Sequence, residues 1–289
     1  MEQEKNSRKE KIKKFRQTTF KVAVYFFAVV GLMFSGVFLA MKLKLTYVKG
    51  GVDVLSQHFN SMQDYFARKK EAQKTVKDWA STDEWKVIST GFKKDSSDIY
   101  KASNQSGVST RMILSSIVVE QFRYFNSNRE GFKKLFQPLG ILGNSTQFSY
   151  GIAGIKTQTA MTVEQNLKDK NSPYYLGPSY EHLLDFKTKD HDAERLSRLT
   201  DTKNHYYSYL YTGLLLKQEM KQWKKAGYSI DNRPEILATL FNLGFAHSNP
   251  NANPQTGGAI ITVNGKDYTF GSLAFDFYYS NELGQEFYE

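Results

Sequence analysis

The run 22–41 (VAVYFFAVVGLMFSGVFLAM) carries no charged residue in 20 positions, and no other feature limits the fold of this chain so strongly. At about 1.5 Å of rise per residue, a helix of that length crosses a hydrocarbon core of roughly 30 Å. A helix buried in a protein core rarely runs so long without a polar stripe. A cleavable signal peptide would have an apolar region of about 7–15 residues ending in an A-x-A-like site. This run ends in Ala40-Met41-Lys42-Leu43-Lys44, which offers no such site. The expectation is one uncleaved transmembrane helix.

Flanking charge sets its direction. Residues 1–21 hold eight Lys/Arg, against three in 42–50. The positive-inside rule therefore places the N-terminus in the cytoplasm and 42–289 across the membrane. The arm's eight basic and three acidic residues supply half of the net charge of +10. Such an arm suits the anionic lipid of the membrane surface. The remaining charge is mild for the outer domain: it suits an anionic polymer such as a cell wall, or simply a soluble basic surface. No nucleic-acid module is present to exploit it. The chain has no cysteine, which agrees with an exported domain that does not rely on disulfides.

Beyond the membrane, Lys49-Gly50-Gly51 reads as a short hinge. Val52, Leu55, Phe59, Met62 and Phe66 then recur at spacings of three and four, a two-heptad seam that stops at Arg68-Lys69-Lys70. Two heptads suit a stalk helix packed on its own domain, with self-association through 52–66 as the alternative. From about 95 the pattern is aromatic-rich and mostly helical. Helices are expected over about 109–125 behind a Ser109 cap, from Ala160 to about 169, over 205–224, and over 234–245 with Pro234 in its first turn. Segments 260–263 and 267–270, joined by Asn264-Gly265, read as a β-hairpin. Stretches 172–178 and 248–258 read as loops. The chain thus divides into a basic arm (1–21), a transmembrane helix (22–41), a stalk or linker helix (42–94) and a mainly α domain with a small hairpin (95–289).

The segment 107–125 (GVSTRMILSSIVVEQFRYF) contains the candidate for chemistry. Glu120 falls three residues after Ile117 and seven after Ile113, so helical geometry places its carboxylate on the apolar face. Desolvation disfavours the charged form of such a group and keeps it protonated near neutral pH, the property of a general acid in glycoside cleavage. The alternative is a Glu at the edge of the stripe, reaching solvent or pairing with Arg123 or Arg111.

Three motifs follow one another: the Gly-Val-Ser start and apolar helix ending in Glu120, then Ser149-Tyr150-Gly151-Ile152-Ala153-Gly154-Ile155, then 236–244 (ILATLFNLG). This order resembles the lytic transglycosylases, lysozyme-like enzymes that cut bacterial peptidoglycan. The resemblance covers about 105–250 and implies a lysozyme-like helical domain. It matches Glu120 to the catalytic acid/base. It matches Ser149, Tyr150, Gly151, Gly154 and Ile155 to the turn lining the sugar cleft, and Phe241, Asn242 and Gly244 to a Tyr-Asn-x-Gly stretch. The chain departs from the family pattern in four places. Gln121 stands where the family has Ser, Ala153 and Gly154 replace a Met-Gln pair, Phe241 replaces Tyr, and the interval from Glu120 to Ser149 is long.

The resemblance implies peptidoglycan glycan strands as substrate, no cofactor, and an anchor in the bacterial cytoplasmic membrane with the domain outside. The implied reaction uses one carboxyl group twice and yields a 1,6-anhydro product. A lysozyme-type muramidase, in which water attacks, or a non-catalytic wall-binding or envelope-assembly protein are the alternatives. Glu130, Asp185 and Asp190 are the remaining acids for a second carboxylate, and each lies in a polar segment that suits a surface charge. Asp190-His191-Asp192 is a run of charge that reads as a solvated loop rather than a metal site. There is no HExxH, phosphate-cradling Gly loop or Gly-x-Ser-x-Gly elbow. The aromatics of 268–279 (YTFGSLAFDFYY) fit a core better than an exposed sugar platform.

Overall fold

The computed structural model describes residues 2–43, 50–52, 62–74, 77–126 and 149–287. The chain forms two compact units, Met1–Val48 and Lys49–Glu289. The first is a single helix, α1 (Glu2–Lys42). Its stretch Arg16–Gly36 is long and apolar enough to span a membrane or to be a signal sequence, and none of it is buried by other protein. Phe20, Tyr25, Phe27 and Leu32 all stand exposed along it. A soluble helix would not leave rings of this size in water on every side.

The second unit is mostly helical with few strands. It begins with β1 (Gly50–Val52), α2 (Met62–Lys74), a 3-10 turn at Asp78–Ser81, α3 (Asp83–Lys94), α4 (Ser96–Ser106) and α5 (Thr110–Asn126). A short ribbon of β2 (Ser149–Tyr150) and β3 (Ile155–Lys156) leads into α6 (Thr157–Lys168), α7 (His191–Thr200) and α8 (Tyr206–Lys225). The chain closes with α9 (Pro234–Leu243), β4 (Gly257–Val263), β5 (Lys266–Thr269), α10 (Phe270–Tyr279) and α11 (Gly284–Phe287). Local chemistry accounts for many of the boundaries. Thr82 caps α3 by accepting from the Trp85 amide, acids fill its first turn and lysines its last, as the helix dipole favours. Ser109 accepts from the Met112 amide at the start of α5, and Thr269 with Ser272 forms a capping box on α10. The β4–β5 turn carries positive φ at both Asn264 and Gly265, the geometry that joins two strands with a right-handed twist.

α5 is the hub. Every residue from Thr110 to Glu120 is buried, with α3, α4, α8, α9, α10 and β4 packed around it. The helix is therefore covered on all sides, where the spacing of its apolar residues suggested a single stripe. Its buried hydroxyl groups are handled locally in part: Ser115 donates to the Met112 carbonyl at 2.7 Å.

Two expectations about the N-terminal side of this unit are corrected. The stretch 78–94, assigned with the stalk, belongs to the core: Trp79, Trp85, Ile88 and Phe92 are buried there. Trp79 meets Trp85 edge-on at 5.0 Å, and Trp85 stacks on Phe122 of α5. Burying two indoles outweighs the polar residues that made this segment resemble a linker. Gly50-Gly51 is no hinge. It forms an edge strand, with Gly50 opposite Ala259 and Val52 opposite Gly257, in the antiparallel order β1-β4-β5. A Cβ on Gly257 would lie 2.5 Å from the Gly51 carbonyl oxygen, so the strands approach this closely because the site lacks a side chain.

α2 runs on through Arg68-Lys69-Lys70 to Lys74. Its Tyr65 and Ala72 pack on Phe275 and Tyr279 of α10. Residues 53–61, which hold Leu55 and Phe59 of the proposed seam, lie outside the described residues. The aromatics of α10 are core, as expected: Phe270 and Phe277 are fully buried.

Candidate active site

Glu120 lies in the C-terminal part of α5, 6% exposed. Its Oε2 pairs with the Arg123 guanidinium at 2.5 Å, one turn further along the same helix. Arg111, the other partner weighed from the sequence, is turned elsewhere. Its guanidinium donates to the carbonyls of Phe277, Tyr278, Ser280 and Glu282 at the end of α10.

The turn Gly151–Gly154 connects β2 to β3, with Ser149 opposite Lys156 and Tyr150 opposite Ile155. Both glycines have positive φ, +66° and +60°. A Cβ on Gly151 would meet the Leu199 carbonyl oxygen at 1.9 Å, and one on Gly154 would meet the Glu120 carboxylate at 2.7 Å. Each position therefore requires glycine for its conformation and for its close approach. Gln121 fastens the turn to α5: its amide nitrogen donates to the Ile152 carbonyl at 2.5 Å. Ala153 and Ile155 are buried beneath. Two departures from the family pattern thus have structural roles. Gln121 is a latch, and Gly154 leaves room for the carboxylate.

The third motif is placed differently. Phe241 is buried, its ring 6.1 Å from that of Phe270. The Asn242 side-chain oxygen accepts from the Ala259 amide at 2.9 Å, tying α9 to β4. Gly244 ends α9 at φ +85°, its amide donating to the Leu240 carbonyl. These residues form the α9–β4 junction. Of the acids considered as second carboxylates, Asp185 bonds Lys168 and His182 on the surface. Asp190 caps α7 through the Ala193 amide, and Glu130 lies outside the described residues. His191 stacks on Phe186. Among the described residues no cluster of three or more His, Asp or Glu is placed to hold a metal ion.

Two further acids escaped sequence reading. Glu219 and Glu235 are both fully buried. The Ser248 hydroxyl, held by the Trp223 indole N–H at 2.9 Å, donates to one Glu219 oxygen. The other has no partner among the described residues, and burial pushes this carboxyl up to about 7. Glu235 pairs with Arg233, yet burial still raises it. The signal for Glu219 was its position on the apolar face of α8, three and four residues after Leu216 and Leu215. Glu235 looked like an ordinary acid in a first helical turn.

No protein-family model, curated protein or solved structure matches this chain.

Proposed function

We propose that the second unit is a lysozyme-like domain and that the whole chain is a membrane-anchored peptidoglycan lytic transglycosylase with Glu120 as its single acid/base. The observation behind this reading is the contact between Glu120 and Gly154. Glu120 and Gly154, 34 residues apart in the chain and belonging to two motifs whose order carries the resemblance, meet at a carboxylate. In the proposed reaction Glu120 protonates the glycosidic oxygen between N-acetylmuramic acid and N-acetylglucosamine as the C1–O bond breaks. The resulting carboxylate takes the proton of the muramoyl 6-hydroxyl, whose oxygen bonds to C1. The acid is regenerated, no water is consumed, and the product is a 1,6-anhydro sugar. The substrate's N-acetyl group supports the cationic centre, so no second protein carboxylate is needed, in contrast to two-carboxylate glycosidases. In this reading α1 stays uncleaved, its N-terminus is cytoplasmic, and the domain works on wall strands near the membrane.

The Arg123 ion pair favours a second reading, a lysozyme-like wall-binding or assembly protein without turnover. The Arg123 guanidinium already occupies the Glu120 carboxylate at 2.5 Å, whereas a general acid must present its proton to the glycosidic oxygen. Muropeptide analysis of purified peptidoglycan treated with the full chain in detergent decides between them. The transglycosylase reading expects anhydro-muropeptides from the wild type and none from Glu120→Gln. Sedimentation of both proteins with insoluble peptidoglycan, without anhydro product from either, supports the binding protein.

A further inference from the structure

A cleft lies at the other end of α5 from Glu120. It encloses about 840 Å³ and is lined by Val108 just before α5, by Met112 of α5, by α8, and by the ends of α2 and α10. Lys217, Lys221 and Lys224 of α8 and Lys69 of α2 line it, with Asp231 as the acid in the lining.

The α8 lysines recur at spacings of four and three, so they share one helical face and run in a line about 10 Å long. Compensation of the helix dipole explains a lysine in the last turn, such as Lys224 or Lys225. It does not explain Lys217 and Lys221 higher up. Lys217 reaches the Gly107 carbonyl at 3.1 Å, and the Lys69 ammonium lies over the Tyr279 ring at 5.0 Å. Val108, Met112 and Met220 add apolar side chains to the lining.

We propose that this cleft binds an extended phosphodiester-linked polyol chain, with Lys217, Lys221 and Lys224 facing successive phosphates. Three properties select that ligand. The ammonium groups are strung along a helix rather than converged on a point, so they suit a strand of repeated charge better than one anion. Lysine serves as a point charge for phosphate, without the planar fork that arginine offers to carboxylates. The apolar side chains in the lining take the carbon backbone between phosphates. Of the three lining tyrosines, Tyr278 and Tyr279 pack edge-on against each other, with Lys69 over the Tyr279 ring, and Tyr180 packs against the core, which disfavours the base stacking of a nucleic acid. This assignment is independent of any activity at Glu120.

The test is anisotropy titration of a fluorescent glycerol-phosphate hexamer with the full chain in neutral detergent, at several salt concentrations. The wild type should bind it. The pair Lys221→Gln/Lys224→Gln should weaken binding at low salt by roughly tenfold and flatten the dependence of log K on log salt by about 1.5, as loss of two lysine–phosphate contacts requires. The exposed control pair Lys189→Gln/Lys203→Gln should stay within twofold of wild type. Equal weakening by the control pair, or no binding of the hexamer, would overturn the proposal. So would displacement of the hexamer by equimolar inorganic phosphate, tighter binding of an oligothymidylate with the same number of phosphates, or lysine-dependent capture by phosphatidylglycerol vesicles alone.

Discussion

Gly154 and Glu120 are in direct backbone-to-carboxylate contact: a single added methyl group on Gly154 would lie 2.7 Å from both the carboxyl carbon and Oε2 of Glu120. Neither group can move freely. The turn is held by Gln121, and the carboxylate is buried on α5 beside Arg123.

Gly154→Ala should therefore disturb the site and the fold together. The residue would occupy a left-handed conformation at φ +60° while its Cβ pushes Glu120 aside. Strain at such a position costs about 1–3 kcal/mol, so a thermal melt should shift down by several degrees. If Glu120 works as proposed, release of anhydro-muropeptides should fall further than the stability loss explains. A variant with unchanged melting and unchanged turnover would show that the contact constrains nothing.

Arg111 supports a prediction about stability alone. It spends its guanidinium on four carbonyls in and just beyond the last turn of α10 and lies 4.9 Å from the Phe277 ring. Arg111→Met fills a similar volume but takes the arginine donors from the Tyr278, Ser280 and Glu282 carbonyls, a loss of about 1–3 kcal/mol for a buried acceptor left unpaired. A lysine has no fork and reaches fewer of them. Both variants should unfold at lower denaturant, methionine first. Recovery of wild-type stability by Arg111→Lys would mean that charge alone, not the pattern of donors, holds the C-terminal segment.

What the sequence made legible was local. The Ser109 cap, the start of α9 at Pro234 and the Asn264-Gly265 turn are each decided within a few residues, and the helix holding Glu120 follows from its apolar spacing. The long-range pairings were not written in any window. Gly50-Gly51 has the composition of a hinge, and only the glycines of β4 opposite make it a strand. Trp79 and Trp85 stand among charged residues, and their burial depends on Phe122 and Phe277 arriving from elsewhere in the chain. At the candidate site, Glu120 and the Gly151–Gly154 turn were named by resemblance, while Gln121 was counted as a departure. Its latch on Ile152 depends on a fold in which residue 121 meets residue 152. Asn242 illustrates the opposite case: matched to a sugar-binding position, it hydrogen-bonds a strand whose approach the sequence did not disclose.

Glu219 should make stability fall with rising pH. Burial holds its carboxyl at about 7 in the fold, against an ordinary 4.5. Between those values the unfolded chain has lost the proton and the folded chain keeps it. The folded state is therefore favoured below pH 4.5 and loses that advantage as pH rises through 7. The difference corresponds to about 3 kcal/mol. Glu219→Gln cannot ionise, so its stability relative to wild type should improve by an amount of that order between pH 4 and pH 8. Urea unfolding at the two pH values measures this, and parallel curves for the two proteins would refute it.

His205 and Asp95 set a second pH window at the start of α8. The imidazole Nδ1 lies 2.6 Å from Asp95 Oδ2, which also accepts from the Tyr209 hydroxyl at 2.8 Å. The hydrogen bond to Asp95 raises the His205 pKa above its ordinary 6.5. For Asp95 burial acts upward, but the bonds from His205 and Tyr209 outweigh it and hold the carboxyl below 3.8. The His205 contribution is complete below pH 6.5 and is lost as pH rises through its folded value. The Asp95 contribution is complete above pH 3.8 and is lost as pH falls through its own. The pair therefore stabilises the fold most between about pH 4 and 6.5. His205→Gln should lower the melting temperature most near pH 5.5 and progressively less toward pH 9. Titration of the His205 ring by NMR should give a midpoint above 6.5 in the wild type and one near 6.5 in Asp95→Asn. A wild-type midpoint at or below 6.5 would mean that the ring and the carboxylate do not share a proton-stabilised contact.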